Sequence, residues 1–190
     1  EGKFQGRKHA WDKWTGRYRV EGATREGDPY VILMNLDTKE GSAWLKGRKL
    51  EGDELKQQLE RGYGAWVNDT YWLLMPYKLR DPGVSLAYAG EEQMDGATYD
   101  KIQLRFDNVG LTPKDTYWVW VSCATGLVDR WDYVLKGEQV PPTTWRWTNW
   151  RKYGRIMLAD ERVNATEGRK ILLPGIEVPD SIPDSVFTEP

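Results

Sequence analysis

Apolar and polar residues alternate along most of the chain. Ile102, Leu104 and Phe106 share one face of the segment 98–106, with polar side chains between them. Alternation with a period of two is typical of a β-strand that buries one face. This pattern, or a short apolar run between turn residues, predicts strands in 14–23, 30–37, 43–50, 71–75, 84–92, 98–106, 116–123, 130–136, 145–148, 155–163 and 170–178. About ten or eleven short strands in succession favour a mainly β protein, an antiparallel meander folded as a large curved sheet or barrel.

One segment has the spacing of a helix instead. In 53–66, Leu55, Leu59, Tyr63 and Trp66 recur at intervals of three or four residues, and Asp53 is a suitable N-cap. We expect this amphipathic helix to lay its apolar stripe on the sheet as a lid. Residues 3–14 are a candidate for a second, shorter helix.

Length and composition narrow the picture further. The 190 residues suit one domain. We therefore expect a single domain over 1–178, followed by a Pro-rich acidic extension over 179–190. Eleven Trp and ten Tyr are an unusual number for this length. Because these rings carry a hydrogen-bonding tip, they suit half-wet surfaces and cavity walls better than dry cores.

Several classes of protein are disfavoured by what the chain lacks. A single His, His9, and a single Cys, Cys123, cannot build a usual zinc site, so we expect neither a metal nor a cofactor. The net charge of −2 indicates no nucleic-acid partner. The sequence has no apolar run long enough to span a membrane, so any membrane association is expected to be peripheral. The chain starts at Glu1 without a leader, and we expect any signal peptide to have been removed or to lie outside this sequence.

Catalytic groups are sparse. Acidic clusters such as Glu91/Glu92 and Asp129/Asp132 lie at turns or on polar strand faces, where solvated charges are common. We expect His9 to be a surface histidine of a basic segment and Cys123 to be a small buried hydrophobic residue. A hydrolase is retained only as a third hypothesis, which would need converging acids or a partner for His9.

The aromatic strands are the main candidate for a functional surface. Residues at alternate positions of consecutive strands can form one contiguous wall, for which the candidates are Trp72, Leu74, Trp118, Trp120, Trp131, Tyr133, Trp145 and Trp147. Two outcomes are open. The lid residues Leu55, Leu59, Tyr63 and Trp66 fill the wall and make an ordinary core, or they cover it incompletely and leave a cavity suited to amphiphiles.

Three segments resemble a known protein group. They are WVNDTYWLLMPYKLRDPGV at 66–84, FDNVGLTPKDTYW at 106–118 and GLVDRW at 126–131. They are similar to a group of uncharacterised bacterial envelope proteins in the lipoprotein-carrier (LolA/LolB-like) superfamily. The resemblance extends over about residues 10–178.

The resemblance implies a fold and a location. Members of this superfamily have a curved, incompletely closed antiparallel β-barrel with a helical lid, and they are periplasmic or anchored at the outer membrane. Carriers in it hold the acyl chains of lipoproteins between sheet and lid. At the rim of such a barrel, Lys78 and Arg80 are candidates to bind a carboxylate or phosphate headgroup, or are solvated charges.

The leading hypothesis is therefore a non-enzymatic envelope protein that binds a lipid or an acylated ligand between half-barrel and lid. The alternative is an envelope protein-interaction or lipid-sensing module in which the aromatic residues are filled core. The two differ in whether the concave face of the sheet is packed solid.

Overall fold

The computed structural model describes residues 6–106, 115–135 and 140–190. The protein is mainly β, with 49% strand and 18% helix in two antiparallel sheets that do not close into a barrel. The chain forms two compact units, Glu1–Asp69 with Pro179–Pro190 and Thr70–Val178. The predicted fold class is confirmed. The single domain over 1–178 stays a prediction.

The first unit contains a five-stranded sheet in which every strand pairs with the next one along the chain. Its strands are β1 (Lys8–Asp12), β2 (Arg17–Ala23), β3 (Pro29–Asn35), β4 (Gly41–Leu45) and β5 (Arg48–Lys49). One face is apolar, and its buried residues are Tyr18, Val20, Ile32, Met34, Leu36, Ala43 and Leu50. The predicted short helix in 3–14 is wrong, because residues 8–12 pair with β2 as an edge strand.

The first turns of helix α1 (Gly52–Lys78) cover the apolar face of this sheet. Leu55, Leu59, Tyr63 and Trp66 pack against the buried face, as their spacing predicts. Gly62 lets the helix come close to β3, since a Cβ at this position would lie 3.1 Å from Ile32 Cγ2. The predicted apolar stripe is therefore correct, and it covers the five-stranded sheet.

The C-terminal segment belongs to the first unit. Its short helix α2 (Ser185–Thr188) buries Phe187, whose ring lies 4.7 Å from the Arg17 guanidinium carbon. Arg19 Nη1 donates to the Glu189 carbonyl at 2.6 Å. The predicted extension is thus held on the surface of this unit.

The second unit contains a seven-stranded sheet, again with sequential neighbours. Its strands are β6 (Val84–Met94), β7 (Ala97–Phe106), β8 (Thr116–Ser122), β9 (Val128–Val134), β10 (Thr143–Tyr153), β11 (Ile156–Asn164) and β12 (Lys170–Leu172). Its order is β12-β11-β10-β9-β8-β7-β6, so β6 and β12 are the edge strands. Tight turns such as Asp95-Gly96, both with positive φ, join neighbours that are antiparallel.

The last turns of helix α1 pack on one face of this sheet. Met75 is fully buried there, with Tyr71, Trp72 and Leu79 beside it. The predicted strand over 71–75 is therefore wrong: the helix continues to Lys78. The apolar run 71–75 has the composition of a strand that is buried on both faces. Its residues that lie three and four positions apart instead pack into a single core, as in a helix. Pro76 lies inside this helix and does not end a strand.

Candidate functional site

Strand pairing divides the seven-stranded sheet into two faces. Ile102, Val119 and Trp131 stand side by side on one of them, which packs against helix α1 and is called here the core face. Lys101, Trp120 and Arg130 stand side by side on the other, called here the opposite face. The alternation predicted for 98–106 and 116–123 is confirmed, and the register between strands decides which aromatic residues meet.

Five of the predicted wall residues come together on the core face. The Trp72 ring, from helix α1, lies 4.7 Å from Trp131 and 5.1 Å from Trp145, measured between ring centroids. Trp131 in turn lies 5.5 Å from Tyr133 and 6.1 Å from Trp147. Trp131, Trp145 and Trp147 expose 3% or less of their surface. These five residues form the core-face aromatic cluster, and helix α1 packs directly on it.

The other predicted wall residues do not join this cluster. Trp118 and Trp120 lie on the opposite face, because they alternate with Tyr117 and Val119, which face the core. Leu74 is a half-buried residue of helix α1 and not part of a strand. Because side chains alternate along β8, these two tryptophans lie on the other side of the sheet from Trp131.

The predicted lid residues also occupy a different place from the one expected. Leu55, Leu59, Tyr63 and Trp66 pack in the core of the first unit, where the Trp66 ring lies 5.4 Å from Trp11. The part of helix α1 that covers the core-face aromatic cluster is the segment that was predicted to be a strand.

The two rim candidates lie where helix α1 leads into β6. Lys78 is the last helical residue and forms an ion pair of 2.7 Å with Asp81. Arg80 is exposed in the following turn. Both charges precede the start of β6 at Val84 by a few residues, so they are close in sequence to that edge strand.

Arg162 is a buried residue of β11 that the sequence gave no reason to single out. Its guanidinium carbon lies 3.4 Å from the Trp147 ring centroid, a cation–π contact. Nη1 donates to the carbonyls of Ala159 and Glu161 at 3.0 Å. Burial lowers the pKa of this guanidinium to about 9, and it still carries its charge at neutral pH.

The third contact of Arg162 explains how Pro76 fits inside helix α1. Proline has no N–H, so the carbonyl of Trp72, four residues earlier, loses its helical donor. Arg162 Nη2 donates to this carbonyl at 2.5 Å. A side chain of the sheet therefore replaces the missing backbone donor and fastens the helix to β11 at the aromatic cluster.

Four buried donors in this region have no hydrogen-bond acceptor among the described residues. They are the indole Nε1 atoms of Trp131, Trp145 and Trp147 and the Nε atom of Arg162. Buried donors without partners are uncommon and costly.

The core face extends beyond the part that the helix covers. On edge strand β6, Leu86 pairs with the buried Leu104, and Tyr88 pairs with Ile102. Leu86 is nevertheless 43% exposed and Tyr88 67% exposed. The Tyr88 hydroxyl donates to Asp100 at 3.2 Å. These residues, Leu86, Tyr88 and Ile102, form an open apolar strip that continues the core.

His9 lies in the first unit and is exposed, as expected of a surface histidine. Both of its ring nitrogens nevertheless have partners, with Nδ1 2.7 Å from the Tyr18 hydroxyl and Nε2 3.1 Å from Asp69 Oδ2. Arg7 binds the same carboxylate through two hydrogen bonds of 2.7 and 2.8 Å. Burial opposes ionisation of Asp69, but hydrogen bonds from His9 and Arg7 hold its pKa well below the ordinary value. Because the Tyr18 hydroxyl group belongs to a fully buried residue, this network suits a structural role.

Cys123 is exposed at the end of β8, contrary to the expectation of a buried residue. Desolvation and the neighbouring Asp100 and Glu91 carboxylates raise the pKa of its thiol. A raised pKa disfavours the thiolate, the nucleophilic form. Within the described ranges, no group of three or more His, Cys, Asp and Glu side chains could hold a metal ion.

Tyr71, Met75 and Arg162 belong to the core-face region and were missed as site residues. Tyr71 and Met75 had a signal in the sequence, because Tyr71 lies eight residues after Tyr63 and Met75 four residues after Tyr71, a spacing that keeps them near one face of a helix. Arg162 had none, since its burial follows only from the packing of helix α1 on β11.

Fold and site together define a class: a mainly β protein in which one helix packs an aromatic cluster onto an open antiparallel sheet. The structure is similar to the crystal structure of a DUF1329 family protein from Desulfovibrio piger, with a TM-score of 0.50 and 14% identity, over 95% of this chain and 79% of that one. At this identity the likeness shows a shared fold and nothing beyond it.

Two further solved structures are similar at lower TM-scores. One is described as an outer membrane lipoprotein-sorting protein domain from Vibrio parahaemolyticus, with a TM-score of 0.43 and 9% identity, over 91% of this chain and 78% of that one. The other is a LolA superfamily protein from Nitrosomonas europaea, with a TM-score of 0.41 and 13% identity, over 96% and 87%. No family model matches the sequence, and no curated protein matches it.

In the part of the chain that the structure describes, no helix combines the length and the apolarity that a membrane span requires.

Proposed function

We propose that the protein is a non-enzymatic envelope protein that binds an acyl chain or other lipidic ligand on the core face of the seven-stranded sheet, beside helix α1. The observation that carries the proposal is the open apolar strip on β6 and β7. Leu86 and Tyr88 are exposed although they stand in register with the buried Leu104 and the half-buried Ile102. An apolar surface that continues a core is a candidate binding site.

The strip suits an alkyl chain better than a polar ligand. Covering apolar surface stabilises a complex by about 25 cal/mol for each Å² removed from water. The Tyr88 ring offers an apolar face while its hydroxyl stays bound to Asp100. A chain lying along Leu86 and Tyr88 would extend the apolar contacts that Leu104 begins.

Two cationic side chains near the start of β6 are candidate partners for the headgroup of a lipid. Lys78 and Arg80 precede β6 in the connection from helix α1, and we infer that they bind an anionic headgroup. The C-terminal end of the helix dipole is itself negative, so the attraction for a carboxylate or phosphate comes from the two cations, of which Lys78 also pairs with Asp81. The resemblance of the sequence to the LolA/LolB-like superfamily supports a periplasmic or outer-membrane-associated location.

The test measures the binding of a fluorescent fatty acid to the purified protein. Leu86→Asp places a charge in the strip, and we expect it to weaken binding about tenfold or more. The matched control is Leu172→Asp, which alters an exposed leucine of β12 at the other edge of the same sheet. We expect the control variant to bind like the wild type.

Two results would contradict the proposal. One is the lack of saturable binding by the wild-type protein. The other is equal weakening by Leu86→Asp and Leu172→Asp, which would indicate a nonspecific effect of added charge.

A second candidate function is an interaction or lipid-sensing module with a filled aromatic core. The dense packing of Trp72, Trp131 and Trp145 supports it, because a solid core leaves no room for a ligand between helix and sheet. The fatty-acid titration distinguishes the two. Saturable binding that Leu86→Asp weakens favours the lipid-binding protein, whereas the absence of saturable binding favours an interaction module with a filled core.

A further inference from the structure

The opposite face of the seven-stranded sheet carries a groove that the proposed lipid site does not use. Its volume is about 330 Å³, and its lining includes Glu92, Lys101, Trp118, Trp120, Arg130 and Asp132. This volume is at the lower end of the range of roughly 300–1,000 Å³ found for small-molecule sites. All of these residues belong to one compact unit.

Strand register places the lining in two rows. Gln103, Trp118 and Asp132 form one row across β7, β8 and β9. Lys101, Trp120 and Arg130 form the next row. Each tryptophan therefore has a polar side chain on both flanks and on the same face of the sheet.

Trp120 contacts three of the charged side chains that line the groove, namely Lys101, Arg130 and Glu92. Its ring contacts two cations, with Lys101 Nζ 4.8 Å and the Arg130 guanidinium carbon 4.1 Å from the ring centroid. Its Nε1 donates to Glu92 at 2.7 Å, and Glu92 also accepts from Lys101 at 2.7 Å. Trp120 is almost fully buried under these groups, so it fixes their positions and is not itself a stacking surface.

Arg130 and Asp132 form a rigid polar pair at the floor of the groove. Two hydrogen bonds, of 2.8 and 2.6 Å, join the guanidinium to the carboxylate, and Asp132 is buried. A carboxylate can accept about four hydrogen bonds and a guanidinium can donate five, so each keeps capacity for a ligand. Planar groups held in this way recognise hydroxyl pairs with little loss of side-chain entropy.

The charge balance and the partly exposed Trp118 ring indicate the class of ligand. Lys101 and Arg130 are balanced by Glu92 and Asp132, so the groove has no excess charge for an anion, and it combines apolar ring surface with hydrogen-bonding groups. Trp118 is half-buried and lines the groove. We propose that the groove binds a saccharide, whose pyranose ring stacks on Trp118 while its hydroxyls bind the Arg130–Asp132 pair.

A smaller groove on the same sheet extends the surface. Its volume is about 250 Å³, and it is lined by Ser85, Ala87, Gln103 and Arg105 of the opposite face and by Leu86, which also belongs to the apolar strip on β6. Two neighbouring grooves that share a row of residues fit a chain of sugar units better than one monosaccharide. The saccharide class we infer is a neutral oligosaccharide.

Isothermal titration calorimetry tests the proposal with a panel of neutral tetrasaccharides that includes cellotetraose and chitotetraose. We expect at least one sugar to bind saturably with a Kd of about 1 mM or below. Trp118→Ala removes the stacking ring and is expected to weaken binding about tenfold or more, whereas Trp118→Phe keeps a ring and retains binding within about threefold.

The control is Trp14→Ala, because Trp14 is 91% exposed and lies in the other compact unit. This variant is expected to bind like the wild type, and circular dichroism checks that all variants are folded. The proposal is overturned if no sugar of the panel binds saturably, or if Trp118→Ala binds as well as Trp14→Ala. Saturable binding of inorganic phosphate at the same groove, with loss of sugar binding, would also overturn it by identifying an anion site.

Discussion

Asp69 lies at the centre of a network in which residues distant in sequence hold one another. Its carboxylate accepts hydrogen bonds from Arg7, and His9 connects it to the buried Tyr18. Asp69 itself lies within helix α1. A partner 62 residues away leaves no local trace in the sequence.

The network predicts a pH dependence of stability. Because the folded-state pKa of Asp69 is lower than the ordinary value of 3.8, its contribution is complete above the unfolded pKa and is lost as pH falls toward and through the folded pKa. Asp69→Asn is expected to lower the free energy of unfolding by about 2 kcal/mol at neutral pH. The difference from wild type should shrink in acid.

Urea unfolding of the wild type and of Asp69→Asn, at pH 7 and at about pH 3, measures the difference in their free energies of unfolding at each pH. Glu26→Gln, at an exposed turn position, is the control and should change the free energy of unfolding by no more than about 0.5 kcal/mol. A difference for Asp69→Asn that is equal at the two pH values would show that ionisation of Asp69 contributes nothing to stability.

Helix α1 shows how tertiary contacts extend an element past a local stop signal. Its 27 residues include Pro76, which normally ends or kinks a helix. The helix continues because Met75 and its neighbours gain a core to pack in, and because Arg162 supplies the donor that Pro76 lacks. Helix 53–66 was predictable from apolar spacing, whereas the remainder depended on these distant partners.

A double-mutant cycle tests the link between Arg162 and Pro76. Arg162→Met leaves three carbonyls without this donor, and we expect a loss of about 2–4 kcal/mol in the free energy of unfolding. Pro76→Ala restores an N–H for the Trp72 carbonyl. In that background the loss caused by Arg162→Met should be smaller by about 1 kcal/mol.

Denaturant unfolding of the wild type, both single variants and the double variant gives the coupling energy. Arg105→Met, which removes an exposed arginine of β7, is the control and should not couple to Pro76→Ala. Additive effects within about 0.3 kcal/mol would contradict the compensation that the structure indicates.

At the scale of the whole molecule, the proposed functions use the two faces of one sheet. The lipidic ligand is placed on the core face at Leu86 and Tyr88, and the saccharide on the opposite face at Trp118. Because a sheet separates its faces, substitutions on one face provide controls for the other.

Ligand binding is expected to stabilise the folded protein as a whole. A ligand that binds only the folded state at a concentration of 100 Kd raises the free energy of unfolding by about 2.7 kcal/mol. Fatty acid should therefore raise the Tm of the wild type and of Trp118→Ala, and should raise that of Leu86→Asp by no more than about half as much. Scanning calorimetry measures the shift, and equal shifts in all three proteins would place fatty-acid binding away from the β6 strip.

The sequence by itself determined the elements with a local period. Alternation identified most of the strands, and spacing by threes and fours identified the helix of 53–66, because the direction of each Cβ follows from backbone geometry. The mainly β fold was predictable on this basis.

Only the tertiary structure decided which of these residues meet. Parity shows that Trp118 and Trp120 share a face of β8, but the register and the packing of helix α1 place them away from Trp131 and Trp147. The same applies to the helical state of 71–75 and to the burial of Arg162. Register, long-range hydrogen bonds and core packing join residues far apart in the chain, and their energies are not encoded in any local period.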